Sequence, residues 1–199
     1  MRVIAGKARG TRLSSVEGIA TRPVLDRVKE SVFSMLAARG AVESAGVLDL
    51  YAGSGSLGIE ALSRGAARCV FVDSSADSAR VIRANLEKAG LGSAAEVVEG
   101  SCPAAVRRLA EAGRRFDLVF ADPPFRDAAG LAGEAEGTLS ETLAAAAGAL
   151  SQGGTLVLRA EKGTALPDRI GSAERLESRV WGRSEVAFYS GGSAEGIGR

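Results

Sequence analysis

Val47-Leu-Asp-Leu-Tyr-Ala-Gly-Ser-Gly-Ser-Leu-Gly58 is the stretch on which the fold turns. An apolar run of strand length, 47–51, passes into a turn carrying Gly53, Gly55 and Gly58, and helical spacing follows over 57–64. A glycine-rich turn between a strand and a helix lets the backbone approach a ligand at the carboxyl end of the strand, where open α/β sheets bind nucleotides. Alone, the pattern is also that of a tight structural turn.

Downstream, short apolar runs at 69–73, 96–99, 116–121 and 155–159 alternate with helical stretches at 77–89, 103–112 and 138–150. Strands separated by helices of this length pair in parallel through right-handed crossovers, so the expected fold is α/β, a doubly wound, mostly parallel sheet. Two late segments, 175–180 and 184–189, have no helix between them and are expected as an antiparallel hairpin at the sheet edge. Upstream, 1–14 reads as two short strands joined by a turn. A break at Arg22-Pro23 follows, then a helix over 24–38 and a small-residue linker over 40–46. The expected organisation is a basic N-terminal extension (1–40), a main domain (41–189) and a disordered Gly/Ser-rich tail (190–199).

Length and composition narrow the class. The 199 residues suffice for one sizeable core, and 46% hydrophobic with 25% charged residues is a globular balance, far from a disordered or fibrous one. No apolar run reaches the ~20 residues of a membrane span, and the N-terminus lacks an export signal, so a cytoplasmic protein is expected. Cys69 and Cys102 stand 33 residues apart, which indicates buried fillers and no disulfide framework or zinc site. The absence of histidine excludes imidazole catalysis and most transition-metal sites, so no metal is expected. The net charge of +1 hides an asymmetry: residues 1–39 hold eight Arg and Lys against three Asp and Glu. A basic segment on an acidic body suits a polyanion, or simply a solvated face.

Two further carboxylates refine the chemistry. Asp73 ends the second strand twenty residues after Gly53, where it can accept hydrogen bonds from both hydroxyls of a ribose, so the pair points to an adenosine-containing cofactor. Asp49 lies four residues ahead of Gly53; a carboxylate there suits a cofactor with a cationic amino-acid tail, as in S-adenosylmethionine, better than a dinucleotide such as NAD. The fourth strand runs into Asp122-Pro-Pro-Phe125. Two prolines fix the backbone, leaving the Asp122 carboxylate and the Pro123 carbonyl as acceptors and Phe125 as an aromatic face. Two acceptors on the protons of an exocyclic base amine favour a pyramidal nitrogen whose lone pair faces a methyl donor, provided the base has left its stack.

Together, Asp49 to Gly58 and Asp122 to Phe125 resemble class I S-adenosylmethionine-dependent methyltransferases acting on exocyclic or amide nitrogens, a Rossmann-like fold. Arg2-Val-Ile-Ala-Gly-Lys7, Gly10-Thr-Arg-Leu13, Thr21-Arg-Pro-Val-Leu-Asp-Arg-Val-Lys-Glu30 and the late Trp181-Gly-Arg-Ser184 narrow the resemblance to the bacterial RsmD-type enzymes, which modify a guanine N2 in 16S rRNA. The resemblance covers nearly the whole chain and stops at the tail. It implies that Asp49, Gly53, Gly55 and Gly58 line the methionine side of the cofactor, with Tyr51, Ala52 and Ser54 in the same loop. It likewise implies that Asp73 with Ser74 meets the ribose, and that Asp122, Pro123, Pro124 and Phe125 hold the guanine amine. Arg2, Lys7, Arg9, Arg12, Arg22, Arg27 and Lys29 would contact RNA phosphates. Where relatives place Asp or Asn to meet the adenine amine this chain has Glu99-Gly-Ser101, so either Ser101 or Glu99 takes that part. The rival readings are methylation of adenine N6 or of a protein glutamine amide, a non-catalytic rRNA-binding assembly factor, and an NAD-dependent oxidoreductase. The implied partner is 16S rRNA, within an assembled or assembling small subunit, acted on by a monomer without a membrane.

Overall fold

The structure is a computed structural model that describes residues 1–16, 26–124 and 138–192. In chain order the helices are α1 (Asp26–Ala38), α2 (Ser56–Ser63), α3 (Ala76–Ala89), α4 (Cys102–Glu111) and α5 (Thr138–Gly148). The strands are β1 (Gly46–Leu50), β2 (Arg68–Asp73), β3 (Ala95–Glu99), β4 (Phe116–Ala121), β5 (Leu150–Glu161), β6 (Arg169–Ile170), β7 (Ala173–Trp181) and β8 (Ser184–Gly191). They form one sheet in the order β3-β2-β1-β4-β5-β8-β7-β6. The first five are parallel, and β8 and β7 join antiparallel. This is the expected doubly wound sheet with its late hairpin, and β8 is the hairpin strand that lies against β5.

Because successive strand residues face opposite sides, the sheet carries two cores. Leu48, Leu50, Val70, Val72, Val119, Leu156 and Leu158 meet α4 and α5 on one face. Val47, Cys69, Phe71, Leu118, Phe120, Val157 and Phe188 meet α1, α2, α3 and the N-terminal segment on the other. Both faces are covered, which is why β1 is buried at every residue, Asp49 included.

The N-terminal segment is a docked loop. Its two arms meet at a single antiparallel bridge, Arg2 with Arg12, where two short strands were expected. Gly6 (φ +82°) passes so close to α2 that a Cβ would stand 1.8 Å from the Ser63 carbonyl oxygen, so its turn needs glycine for both conformation and space. Val3, Ala8 and Leu13 enter the same core as α1.

The strand β5 begins five residues before the expected 155. Gly153 (φ +73°) and Gly154, which fall between the expected helix and strand, lie within the strand beside a register shift against β4, and a Cβ on Gly154 would meet the Asp117 carbonyl oxygen at 3.3 Å. The two-residue β6 is too short to leave a periodic signal, and β8 runs to Gly191, past the expected start of the tail. Arg22 and Phe125, and the tail beyond 192, lie outside the described residues.

Candidate active site at the carboxyl edge of the sheet

The strand order reverses between β1 and β4, which both pair with each other and lead outward in opposite directions. Ligands of open α/β sheets bind in the crevice at such a point, outside the carboxyl ends of the strands. Here that crevice is bordered by Asp49, Asp73 and Asp122. By strand alternation all three follow the parity of Val47, Phe71 and Phe120, so they lie on the face that the N-terminal segment and α1 to α3 cover.

Asp49 is buried, and its Oδ2 accepts the Gly58 amide at 2.9 Å. It thereby serves the first turn of α2, whose N-cap, Gly55, has no side chain to offer. Burial holds the Asp49 carboxyl well above the ordinary carboxylate range; the Gly58 N–H opposes this, and Asp122 and Asp73 reinforce it. A cation brought into the crevice relieves that cost.

The loop after β1 is shaped by its backbone. Tyr51 has φ +57°, a conformation a bulky residue adopts at a cost and that concentrates at functional sites. The Ala52 amide then donates to the Val72 carbonyl at 3.1 Å and the Gly53 amide to Asp73 Oδ2 at 2.8 Å. Asp73 Oδ1 accepts the Ser75 amide at 2.9 Å, so the carboxylate is fixed at both oxygens while each keeps a lone pair. Ser54 is held by its carbonyl, which accepts Asn85 Nδ2 at 2.9 Å, and its Oγ lies 3.9 Å from Met1 Sδ. Ser74 is exposed beside Asp73. The Gly100 amide donates to the Asp73 carbonyl at 2.9 Å, which brings the exposed Ser101 to the same rim. Its hydroxyl makes no capping bond to α4.

Gly58 corrects an expectation. A Cβ there would meet Phe71 Cε1 at 2.3 Å and Cys69 Sγ at 2.6 Å, so its α-carbon is turned to the sheet and its role is close packing of α2 on β2. Its link to the crevice among the described residues is the amide given to Asp49. Lys29 corrects another. Its side chain is fully buried, 3.2 Å from Glu60 and donating to the Arg2 carbonyl at 2.7 Å, so it offers no surface to a phosphate. Arg2, Lys7, Arg9, Arg12 and Arg27 are exposed, with Arg2 Nε 3.6 Å from Asp26.

Across the switch point, the Asp122 amide reaches the Leu50 carbonyl at 3.4 Å, continuing the ladder between β4 and β1. Pro123 is buried and Pro124 half-buried behind it. Three residues that the sequence reading passed over shape this site. Arg159 of β5 forks onto Asp122, Asn85 of α3 ties Ser14 and Ser54 together, and Glu60 of α2 accepts the Ile4 and Ala5 amides. A charged residue closing an apolar strand and polar residues inside amphipathic helices were the available signals. Both cysteines are buried, and burial pushes both thiols up, Cys102 to about 12, which disfavours the thiolate form in each. No helix among the described residues is long and apolar enough to cross a membrane.

Comparison with known proteins agrees with this geometry. Residues 1–190 match the family model described as Conserved hypothetical protein 95. A Bacillus subtilis (strain 168) protein, "Putative rRNA methyltransferase YlbH", is 34% identical over 95% of this chain and 98% of its own length. The Escherichia coli (strain K12) "Ribosomal RNA small subunit methyltransferase D" is 38% identical over 63% of this chain and 61% of its own. The solved structure of "Putative methyltransferase yhhF from Escherichia coli" superposes with a TM-score of 0.78 at 30% identity, covering 96% of this chain and 98% of that one. The described fold, the two loops at the switch point and the match over 190 residues agree: the chain belongs to the Conserved hypothetical protein 95 family, the family of the RsmD-type methyltransferases.

Proposed function

We propose that this protein transfers a methyl group from S-adenosylmethionine to the exocyclic N2 of a guanine in 16S rRNA of the small ribosomal subunit. The observation that carries the reading is the placement of Asp122-Pro123 directly across the switch point from the Asp49 and Asp73 loops. An acceptor pair for an amine and a pocket for a cationic adenosine compound thus share one crevice. The names of the relatives support the methyl chemistry and the ribosomal substrate.

S-adenosylmethionine supplies, when bound, a methyl group on a positively charged sulfur. Asp49 fits the cationic end, because a buried carboxylate with acidic neighbours favours a positive ligand. Asp73 fits the ribose through the remaining lone pairs of its fixed oxygens, Ser74 stands beside it, and Ser101 fits the adenine edge. Tyr51 to Gly55 wrap the middle. Asp122 and the Pro123 carbonyl accept the two N–H groups of the guanine amine, and by sequence Phe125 supplies an aromatic face for the base. The amine would take the methyl group with its own lone pair, the electron pair of the broken bond staying with the donor, and the methylated N2, turned acidic, would release its surplus proton to water. Asp122 therefore acts as an orienting acceptor, and proximity with fixed electrostatics supplies most of the rate.

The exposed Arg2, Lys7, Arg9, Arg12 and Arg27 suit phosphates, to which Arg22 adds by sequence. Such a short basic surface suits an rRNA already shaped by ribosomal proteins, acted on in the cytoplasm by a monomer. The test is nucleoside mass spectrometry after incubation with S-adenosylmethionine and either unmodified small subunits or naked 16S rRNA. N2-methylguanosine, more abundant from subunits, is expected. N6-methyladenosine would overturn the target, and no methylation in either sample would return the glutamine-amide and assembly-factor readings.

A further inference from the structure

Asp122 is bound on both oxygens by one cation from the neighbouring strand. Arg159 Nε lies 2.6 Å from Asp122 Oδ1 and its Nη2 2.9 Å from Oδ2, a fork-to-fork pair, while Nη1 reaches Ser184 Oγ at 3.3 Å. The sheet dictates the meeting. Ala121 pairs with Leu158 in the parallel ladder, so the next residues, Asp122 and Arg159, are register neighbours on the same face. Both side chains are about 85% buried, at 15% and 13% exposure, so solvent screens the pair little.

Resting on the function proposed above, we propose that Arg159 is the positioning residue of the reaction, holding the Asp122 carboxylate in one plane and in its ionised form so that its remaining lone pairs meet the incoming amine. An ionised carboxylate offers about four acceptor directions, of which the fork takes two. A protonated Asp122 would instead present an O–H toward the N–H groups it must accept, and the amine would lose its alignment. A guanidinium suits this part because its planar fork fixes orientation as well as charge, which a lysine cannot do.

Electrostatics supports the geometry. Burial raises the Asp122 carboxyl above its ordinary range and Arg159 opposes that rise, by its charge and by its hydrogen bonds. Among the described residues, the charged groups around Asp122 are Arg159 from β5 and Asp49 from β1, whose own carboxyl Asp122 helps to push up. From β8 comes the neutral Ser184 hydroxyl on Arg159, while Glu185, on the opposite face of that strand, holds Ser178.

The test uses the full-length protein with Arg159→Gln and Arg159→Lys, measuring kcat and KM against pH and following the Asp122 carboxyl by 13C NMR. Arg159→Gln should lower kcat at least about tenfold with little change in the cofactor Kd, since the cofactor residues are untouched. Its acid limb and the Asp122 titration should both move to higher pH, because burial then acts unopposed. Arg159→Lys keeps a charge without the fork, so its acid limb should stay near wild type while kcat still falls; it carries the test if the glutamine variant does not fold. Variants of an active enzyme that keep wild-type kcat, acid limb and Asp122 titration, with only a lower Tm, would overturn the proposal and leave Arg159 a structural residue. A wild type that methylates nothing would overturn the proposed function as well.

Discussion

The Lys29 ammonium on α1 stands 3.2 Å from the Glu60 carboxylate on α2, both fully buried, beneath the loop formed by residues 1–16. Glu60 also accepts the Ile4 and Ala5 amides at 2.8 and 3.0 Å and Arg64 Nε at 2.8 Å. Lys29 in turn holds the Arg2 carbonyl and lies 3.3 Å from Ser56 Oγ. Burial lowers the Lys29 pKa and Glu60 opposes the fall. The pair is thus the clamp that seats the N-terminal segment on the glycine-loop helix.

Removing Lys29 leaves the buried Glu60 carboxylate with Arg64 and two backbone amides but without its buried cation, a loss that approaches the ~3–5 kcal/mol of a broken buried ion pair. Lys29→Met should therefore lower Tm strongly and free the N-terminal segment to protease, whereas Lys29→Met combined with Glu60→Gln should recover part of the loss. A Lys29→Met protein with wild-type Tm and an intact N-terminus would show that the clamp is dispensable.

Asp122→Ala removes the acceptor and leaves the cofactor loops in place. Turnover should fall to background while S-adenosylmethionine binding, read by calorimetry, stays close to wild type. Asp122→Asn keeps an acceptor oxygen but introduces an amide, so its activity should be low and measurable. Loss of cofactor binding in Asp122→Ala would move Asp122 from the amine to the cofactor.

Much of this site was legible in the chain because it sits at strand ends. Asp73 and Asp122 each close an apolar run beside a turn, Asp49 lies within the run that leads into the glycine loop, and strand alternation puts all three on one face without further information. Period and turn chemistry also found α1 to α5 within a few residues. What the sequence hid depends on contacts distant along the chain. Lys29 falls on the basic N-terminal stretch, and only its helical phase with Val28, Val32 and Phe33 shows that it points inward. Gly58 belongs to a ligand-type motif, yet the atoms that forbid its Cβ come from β2. Arg159 and Asp122 are 37 residues apart, and only the register of β4 with β5 joins them.

The exposed cations should act on RNA through charge alone. Each phosphate contact contributes about 0.7 to 0.9 to the slope of log K against log salt, so Lys7→Gln and Arg9→Gln should each flatten that slope by nearly one. Arg2→Gln should do less, since Arg2 already lies 3.6 Å from Asp26. Arg27→Gln tests whether the footprint extends along α1. Unchanged slopes in all four would place the RNA surface elsewhere.

Gly58→Ala asks whether that glycine packs or binds. Its Cβ would fall 2.3 Å from Phe71 Cε1, and such overpacking costs ~1–3 kcal/mol. A lower Tm with a cofactor Kd raised only through the disturbed Asp49 contact is expected. An unchanged Tm with lost cofactor binding would restore Gly58 to the ligand side.

Asp49 makes the opposite kind of trade, and pH exposes it. Its carboxyl is raised well above 3.8 by burial in the free protein, so the stability it allows is full below about that pH and is lost as pH rises through the folded value. Asp49→Asn removes the charge and keeps an oxygen for the Gly58 amide, so without ligand the variant should melt no lower than wild type at neutral pH, and the difference should vanish in acid. The cofactor should respond in reverse. A cationic ligand compensates the buried carboxylate, and a hydrogen bond to a charged group is worth ~1.5–3 kcal/mol, so Asp49→Asn should weaken S-adenosylmethionine binding by about ten- to a hundredfold. Thermal shift with and without S-adenosylmethionine across that pH range reads both halves. A variant that melts lower without ligand yet binds the cofactor normally would make Asp49 a helix-capping residue and nothing more.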